Sequence, residues 1–148
     1  MAGGVERVLR MPPGCSGDIR AHAEAGYPHE VCGILSGDAA GGAVRVRRVL
    51  RARNLNTERA RDRYEMDPAA QVEADRAARA EGLEIVGFYH SHPDHPPRPS
   101  PTDAAHAWPG YVYVICRVTK EGMRELRAWV FAERGGEAAE VQVEERGV

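Results

Sequence analysis

Residues His90 to Asp103 read HSHPDHPPRPSPTD, with three histidines and two aspartates spread among five prolines. His90 and His92 stand two apart at the end of the apolar run LEIVGFYH. Alternation along a strand puts residues i and i+2 on one face. Both imidazoles can then converge on one ion, with Ser91 turned away. Asp103, at the start of a short helix, is a third candidate ligand. Two histidines and a carboxylate leave one tetrahedral position for water, the open arrangement of a catalytic zinc site rather than a structural one. An H-x-H pair alone is a weak signal, and its plain reading is two polar residues at a strand end. Ser100 and Asp103 also spell S-x-x-D, a helix capping box with Pro101 at the first helical position. A cap of that kind would aim Asp103, so the two readings are compatible. His95 as a fourth ligand would close the open position, and it reads better as a solvent-facing residue or substrate contact. PPRPSP contains P-x-x-P, a groove-binding pattern, but the prolines read better as a stiffener of the span between His92 and Asp103.

The elements that must hold these residues follow from the pattern around them. LEIVGFYH is apolar on both faces, as a central strand is. Upstream, MDPAAQVEADRAARAEG is the clearest helix: Asp67 fits the N-cap, Pro68 the first position and Gly82 the stop. VERVLR reads as a half-buried strand broken by PPG, and a helix follows near Ser16 to Ala25. VCGILSG and AVRVRRVLRAR read as strands, and NLNTERARDRY as an arginine-rich loop. YVYVICRV, RELRAWVFAE and AEVQVEE give three more strands, the last one weak. His22 and His106 fit helix surfaces, and Trp108 in WPG reads as core packing. The order implies one domain over residues 1–148, of α/β (α+β) class, with a single mixed β-sheet flanked by helices.

Composition limits the functions available. The 148 residues are 43% apolar and 28% charged, with a formal net charge of −2. That fits a globular domain and gives no basic field for nucleic acid. No apolar run reaches membrane-spanning length, and the start lacks the apolar core of a signal peptide. A cytoplasmic enzyme with no membrane or nucleic-acid partner is the expectation. Cys15, Cys32 and Cys116 form no C-x-x-C pair, and the last two sit in apolar runs as small hydrophobes. A zinc nucleobase deaminase needs H-x-E and P-C-x-x-C, which are absent. A (β/α)₈ hydrolase needs about 250 residues.

The full spacing is H-S-H-x7-S-x2-D, with a glutamate, Glu30, well upstream in PHEVCGILSG. This pattern resembles the signature of the JAMM, or MPN-plus, metalloproteases. RYEMDP, GFYHSHP and AWPGYVYVI also resemble compact bacterial members, and the likeness runs from about Val5 to Phe131. The resemblance implies the cytidine-deaminase-like JAMM/MPN architecture. It implies one Zn²⁺ per chain on His90, His92 and Asp103. It gives Glu30 the proton of the zinc-bound water and Ser100 the oxyanion on the attacked carbonyl. Elementary chemistry agrees: zinc lowers the pKa of water to about 7, and a glutamate beside it can pass the proton to the leaving amine.

The family implies hydrolysis of the bond after the C-terminal Gly-Gly of a ubiquitin-like protein. Compact bacterial members act on small sulfur-carrier proteins, some of them releasing an amino acid such as cysteine. The carrier tail would lie extended against a sheet edge. Oligomeric state is left open. The alternative is a non-catalytic MPN-type scaffold, which a protein purified without zinc would favour.

Overall fold

The computed structural model describes residues 8–145. The elements run β1 (Val8–Arg10), α1 (Pro13–Gly26), β2 (Cys32–Ala40), β3 (Ala43–Ala52), α2 (Pro68–Ala80) and β4 (Glu84–Pro93). They continue with α3 (Pro101–His106), β5 (Val112–Thr119), β6 (Gly122–Phe131) and β7 (Ala138–Glu144). The strands form one mixed sheet in the order β1-β3-β2-β4-β5-β6-β7. The expected sheet has one added property, closure into a barrel. Val8–Arg10 pair in parallel with Ala43–Arg45 on one side and with Gln142–Glu144 on the other. The first residues of the VERVLR strand, 5–7, lie outside the described residues.

Closure changes the expectation of an open sheet edge. Among the described residues, β3 beyond Arg45 pairs with β2 alone, and β7 pairs with β6 as far as Val141 and with β1 from Gln142 onward. The helix expected from Ser16 begins earlier, at Pro13. A proline there breaks nothing, because the first helical turn has no use for its missing N–H. The α2 signals are realised as written: the Asp67 side chain accepts the Ala69 N–H at 3.0 Å, and Gly82 follows the helix at φ +72°.

Alternation along β4 divides its side chains between two environments. Tyr89 enters the main core with Leu9, Met11, Ile19, Val114 and Cys116, under α1. Phe88 joins a smaller cluster with Ala107, Tyr113 and Phe131. Gly87 lets β4 approach β5, since a Cβ there would run into the Val112 carbonyl. Cys32 and Cys116 are fully buried, as small hydrophobes.

His22 departs from its expected place on a helix surface. It is half-buried, with Nδ1 2.7 Å from the Tyr89 hydroxyl, and burial, helped by Arg51, pushes its pKa down to about 4. Nothing local to α1 could announce a tyrosine 67 residues away.

Candidate metal centre

β4 ends on the two histidines, and both are buried. Their Nε2 atoms lie 3.1 Å apart. Asp103 Oδ2 sits 3.2 Å from the first and 3.0 Å from the second. Two ligands about 2.0–2.1 Å from a tetrahedral ion are about 3.3–3.4 Å apart, so the triangle is close to the size zinc requires. Its hydrogen bonding points the same way. His92 Nδ1 lies 2.8 Å from the Pro96 carbonyl, which can only accept. The proton of the neutral ring is therefore on Nδ1, and the Nε2 lone pair faces a carboxylate oxygen. Acceptors that converge in this way need a cation or a proton between them, and the donor set fits a divalent ion. The described residues contain one group of this kind, His90, His92 and Asp103.

Asp103 is delivered by the capping box that the sequence spells. Ser100 Oγ accepts the Asp103 N–H at 3.0 Å, and Asp103 Oδ2 accepts the Ser100 N–H at 2.9 Å. The capping and ligand readings thus share one carboxylate oxygen. Burial works to raise the Asp103 pKa. Protonation of the His90–His92 pair, through the His90 charge and hydrogen bonds from the rings, together with the Ser100 N–H, outweighs it and holds the carboxyl well below its usual range. For His92, burial opposes protonation, but the Asp103 hydrogen bond and Pro96 carbonyl prevail and raise its pKa. For His90, complete burial prevails and lowers it.

Glu30 reaches this centre through strand pairing. β2 and β4 are antiparallel with Cys32 opposite His90. Carried two residues back, that register sets Glu30 opposite His92. Ser91 fastens the junction: its N–H donates to the Val31 carbonyl at 3.0 Å, and its Oγ accepts the Val31 N–H at 2.9 Å. The side chain that turns away from the metal therefore fixes the strand that carries Glu30. Glu30 is 7% exposed, and burial pushes its pKa up to about 8 despite the nearby His92 charge.

A stability prediction follows for the metal-free protein. Burial holds the folded pKa of Glu30 above the ordinary glutamate value of 4.5. Its contribution is full below that value and is lost as pH rises through about 8. Melting in chelator should fall between pH 6 and pH 9, and Glu30→Gln should flatten that fall. An unchanged slope in the variant would assign the effect to another group.

A cleft of about 490 Å³ opens at the centre, lined by Glu30, Ser100 and Asp103 among others. Its apolar wall is Met66, Phe88, Trp108 and Tyr113. Trp108 departs from the core-packing expectation. It is 54% exposed, its backbone N–H donates to the Tyr113 hydroxyl, and the Arg134 guanidinium lies 4.1 Å over its ring. His106 also lines the cleft, whereas His95 is exposed in a separate cavity with Asp62 and Asp94. Tyr64 was not legible as a site residue. Its ring stacks on His90 at 4.6 Å between centroids, and only its place in RYEMDP hinted at it.

A closed mixed sheet that presents two histidines and an aspartate beside a buried glutamate defines a JAMM-type hydrolase, and comparison with known proteins agrees. The family model for prokaryotic homologues of the JAB domain matches residues 14–132. A desampylase of Haloferax volcanii is 41% identical over 118 residues, covering 75% of this chain and 80% of that one. A probable TtuB-protein conjugate cleaving protease of Thermus thermophilus is 35% identical over 108 residues, covering 73% and 69%. A solution structure from Salinibacter ruber superposes with a TM-score of 0.72 at 38% identity, covering 93% of this chain and 91% of that one. One from Desulfitobacterium hafniense gives 0.77 at 28%, covering 93% and 94%. The chain belongs to the prokaryotic JAB-domain family, a compact branch of the JAMM/MPN group, and is an enzyme of the JAMM hydrolase type.

Proposed function

We propose that this protein is a zinc-dependent isopeptidase or peptidase that cuts after the C-terminal Gly-Gly of a small ubiquitin-like sulfur-carrier protein. The observation that carries this reading is the His90–His92–Asp103 triangle beside a buried Glu30 in an open cleft. Relatives named for cleaving conjugates of small proteins support it. Zinc held by the three ligands would supply Lewis acidity to water and to the scissile carbonyl.

The protein's own groups divide the remaining work. Glu30, as the carboxylate, takes the proton of the attacking water and hands it to the departing amine; burial makes that carboxylate a stronger base than an exposed one. Ser100 spends a lone pair on the Asp103 N–H, which leaves its own O–H free to donate to the developing oxyanion. One hydroxyl thus serves the helix and the reaction together. The wall of Met66, Phe88, Trp108 and Tyr113 excludes water from a glycine tail passing along it. A cytoplasmic setting belongs to the same proposal. No helix among the described residues is long and apolar enough to cross a membrane.

The dual role of Ser100 has a measurable consequence. Ser100→Ala should lower turnover by about 10²- to 10³-fold and also cost about 1 kcal/mol of stability through the lost cap. Ser100→Thr should restore both. A purely thermal defect, with turnover intact, would leave Ser100 as a cap alone. The proposal as a whole is tested by offering sulfur-carrier proteins extended beyond Gly-Gly and detecting the released residue by mass spectrometry. Zinc-bound protein should release it and chelated protein should not. A zinc-bound protein inert towards every carrier offered would overturn the substrate assignment, and a protein purified without zinc would point to the scaffold.

A further inference from the structure

The two histidines are held in different ways. His92 has its Nδ1 tied to the Pro96 carbonyl, the usual outer-shell bond that orients a metal-binding imidazole. His90 has no such bond among the described residues: its Nδ1 is buried with no hydrogen-bond partner there. What lies against it is the Tyr64 ring, stacked at an interplanar angle of 29°. Tyr64 belongs to the irregular segment between β3 and α2, which has no ladder of its own beyond a single bridge from Asn54 to Met66.

One side chain of that segment holds the backbone on both sides of Tyr64. Asn54 Nδ2 donates to the Arg63 carbonyl at 3.2 Å, and Asn54 Oδ1 accepts the Glu65 N–H at 3.0 Å. These peptide groups flank Tyr64 on both sides. The same Nδ2 donates to the Glu30 carbonyl at 3.1 Å, and the same Oδ1 accepts the Asn56 N–H at 2.9 Å. All four hydrogen-bonding positions of the amide are used, and rotating the group by half a turn would reverse every one of them. The Glu30 N–H, in turn, donates to the Ala60 carbonyl of the same segment.

We propose that Asn54 and Tyr64 act as one positioning device, in which the Asn54 amide locks Tyr64 over the unbonded His90 ring and ties that lock to Glu30. Stacking replaces the missing hydrogen bond as the means of orienting His90. The inference rests on the zinc reading of the cluster but not on the substrate. Neither residue is assigned a catalytic role.

The test is zinc affinity, measured by chelator competition on the folded, metal-stripped protein. Tyr64→Phe keeps the planar face and should bind within about 3-fold of the parent, well inside the range of an outer-shell defect. Tyr64→Met keeps apolar bulk without the face and should bind about 10- to 100-fold more weakly. Asn54→Asp preserves shape but loses both donors, and it should weaken zinc over the same range while also lowering kcat with KM little changed. Melting curves separate these effects from unfolding, and Tyr64→Phe serves as the conservative rescue. Equal zinc affinity in Tyr64→Phe and Tyr64→Met would overturn the stacking role. Parental affinity in Asn54→Asp would overturn the lock. A parent protein that binds no zinc would overturn the reading of the cluster and the device with it.

Discussion

Glu30→Gln keeps its zinc and loses turnover by about 10²- to 10⁴-fold, the range for removing a positioned general base. The side chain is 7% exposed and lines the cleft with Ser100 and Asp103. Glutamine fits the same space, bears no charge to desolvate and cannot take a proton. Stripped of metal, the variant should therefore match the parent below about pH 4.5 and become steadily more stable than it as pH rises through about 8, where the parent must ionise a buried carboxyl. Gained stability with lost activity is the mark of a group retained for chemistry. Metal content, melting and turnover on one preparation decide the matter. Full activity in the glutamine variant would remove Glu30 from the reaction.

His92→Ala should have the opposite profile, losing metal first. It deletes one of three ligand atoms that stand within 3.2 Å of one another. Zinc affinity should fall by more than the roughly 100-fold typical of an outer-shell change. The substitution also frees the Pro96 carbonyl, which His92 Nδ1 holds at 2.8 Å, and so loosens the span that leads to Ser100. Asp103 would then face His90 alone. Metal measured after dialysis against a mild chelator gives the answer, and a one-to-one zinc content in the variant would exclude His92 as a ligand.

What the sequence made legible was whatever depends on near neighbours. The i, i+2 histidines, the S-x-x-D box and the Asp67–Pro68–Gly82 helix all rest on spacings of a few residues, and each took its expected form. Glu30 is different. Its place is set by a β2–β4 register that joins Cys32 to His90, a pairing invisible from either segment alone, and only family resemblance singled it out. Asn54 and Tyr64 were missed for the same reason. An asparagine in an arginine-rich loop gives no hint of four hydrogen bonds. His22 and Trp108 were misjudged because what lies beside them, Tyr89 and Arg134, comes from distant strands and loops. Barrel closure was equally hidden, since it depends on three residues near the start of the described chain that meet β3 on one side and β7, near its end, on the other.

That closure divides the molecule by how readily it opens. Among the described residues the seam at β1 is held by the short ladder of Val8 to Arg10 and by the Met11 N–H on the Glu144 carbonyl, and such short ladders fray at little free energy. β4 is bonded along most of its length to β2 and β5; both histidines lie inside the β5 ladder, and His90 forms the last pair of the β2 ladder. Local opening therefore begins at the seam, and the backbone amides of His90 and His92 exchange with solvent among the last. The barrel can breathe at β1 without disturbing the strand that carries two of the three candidate metal ligands.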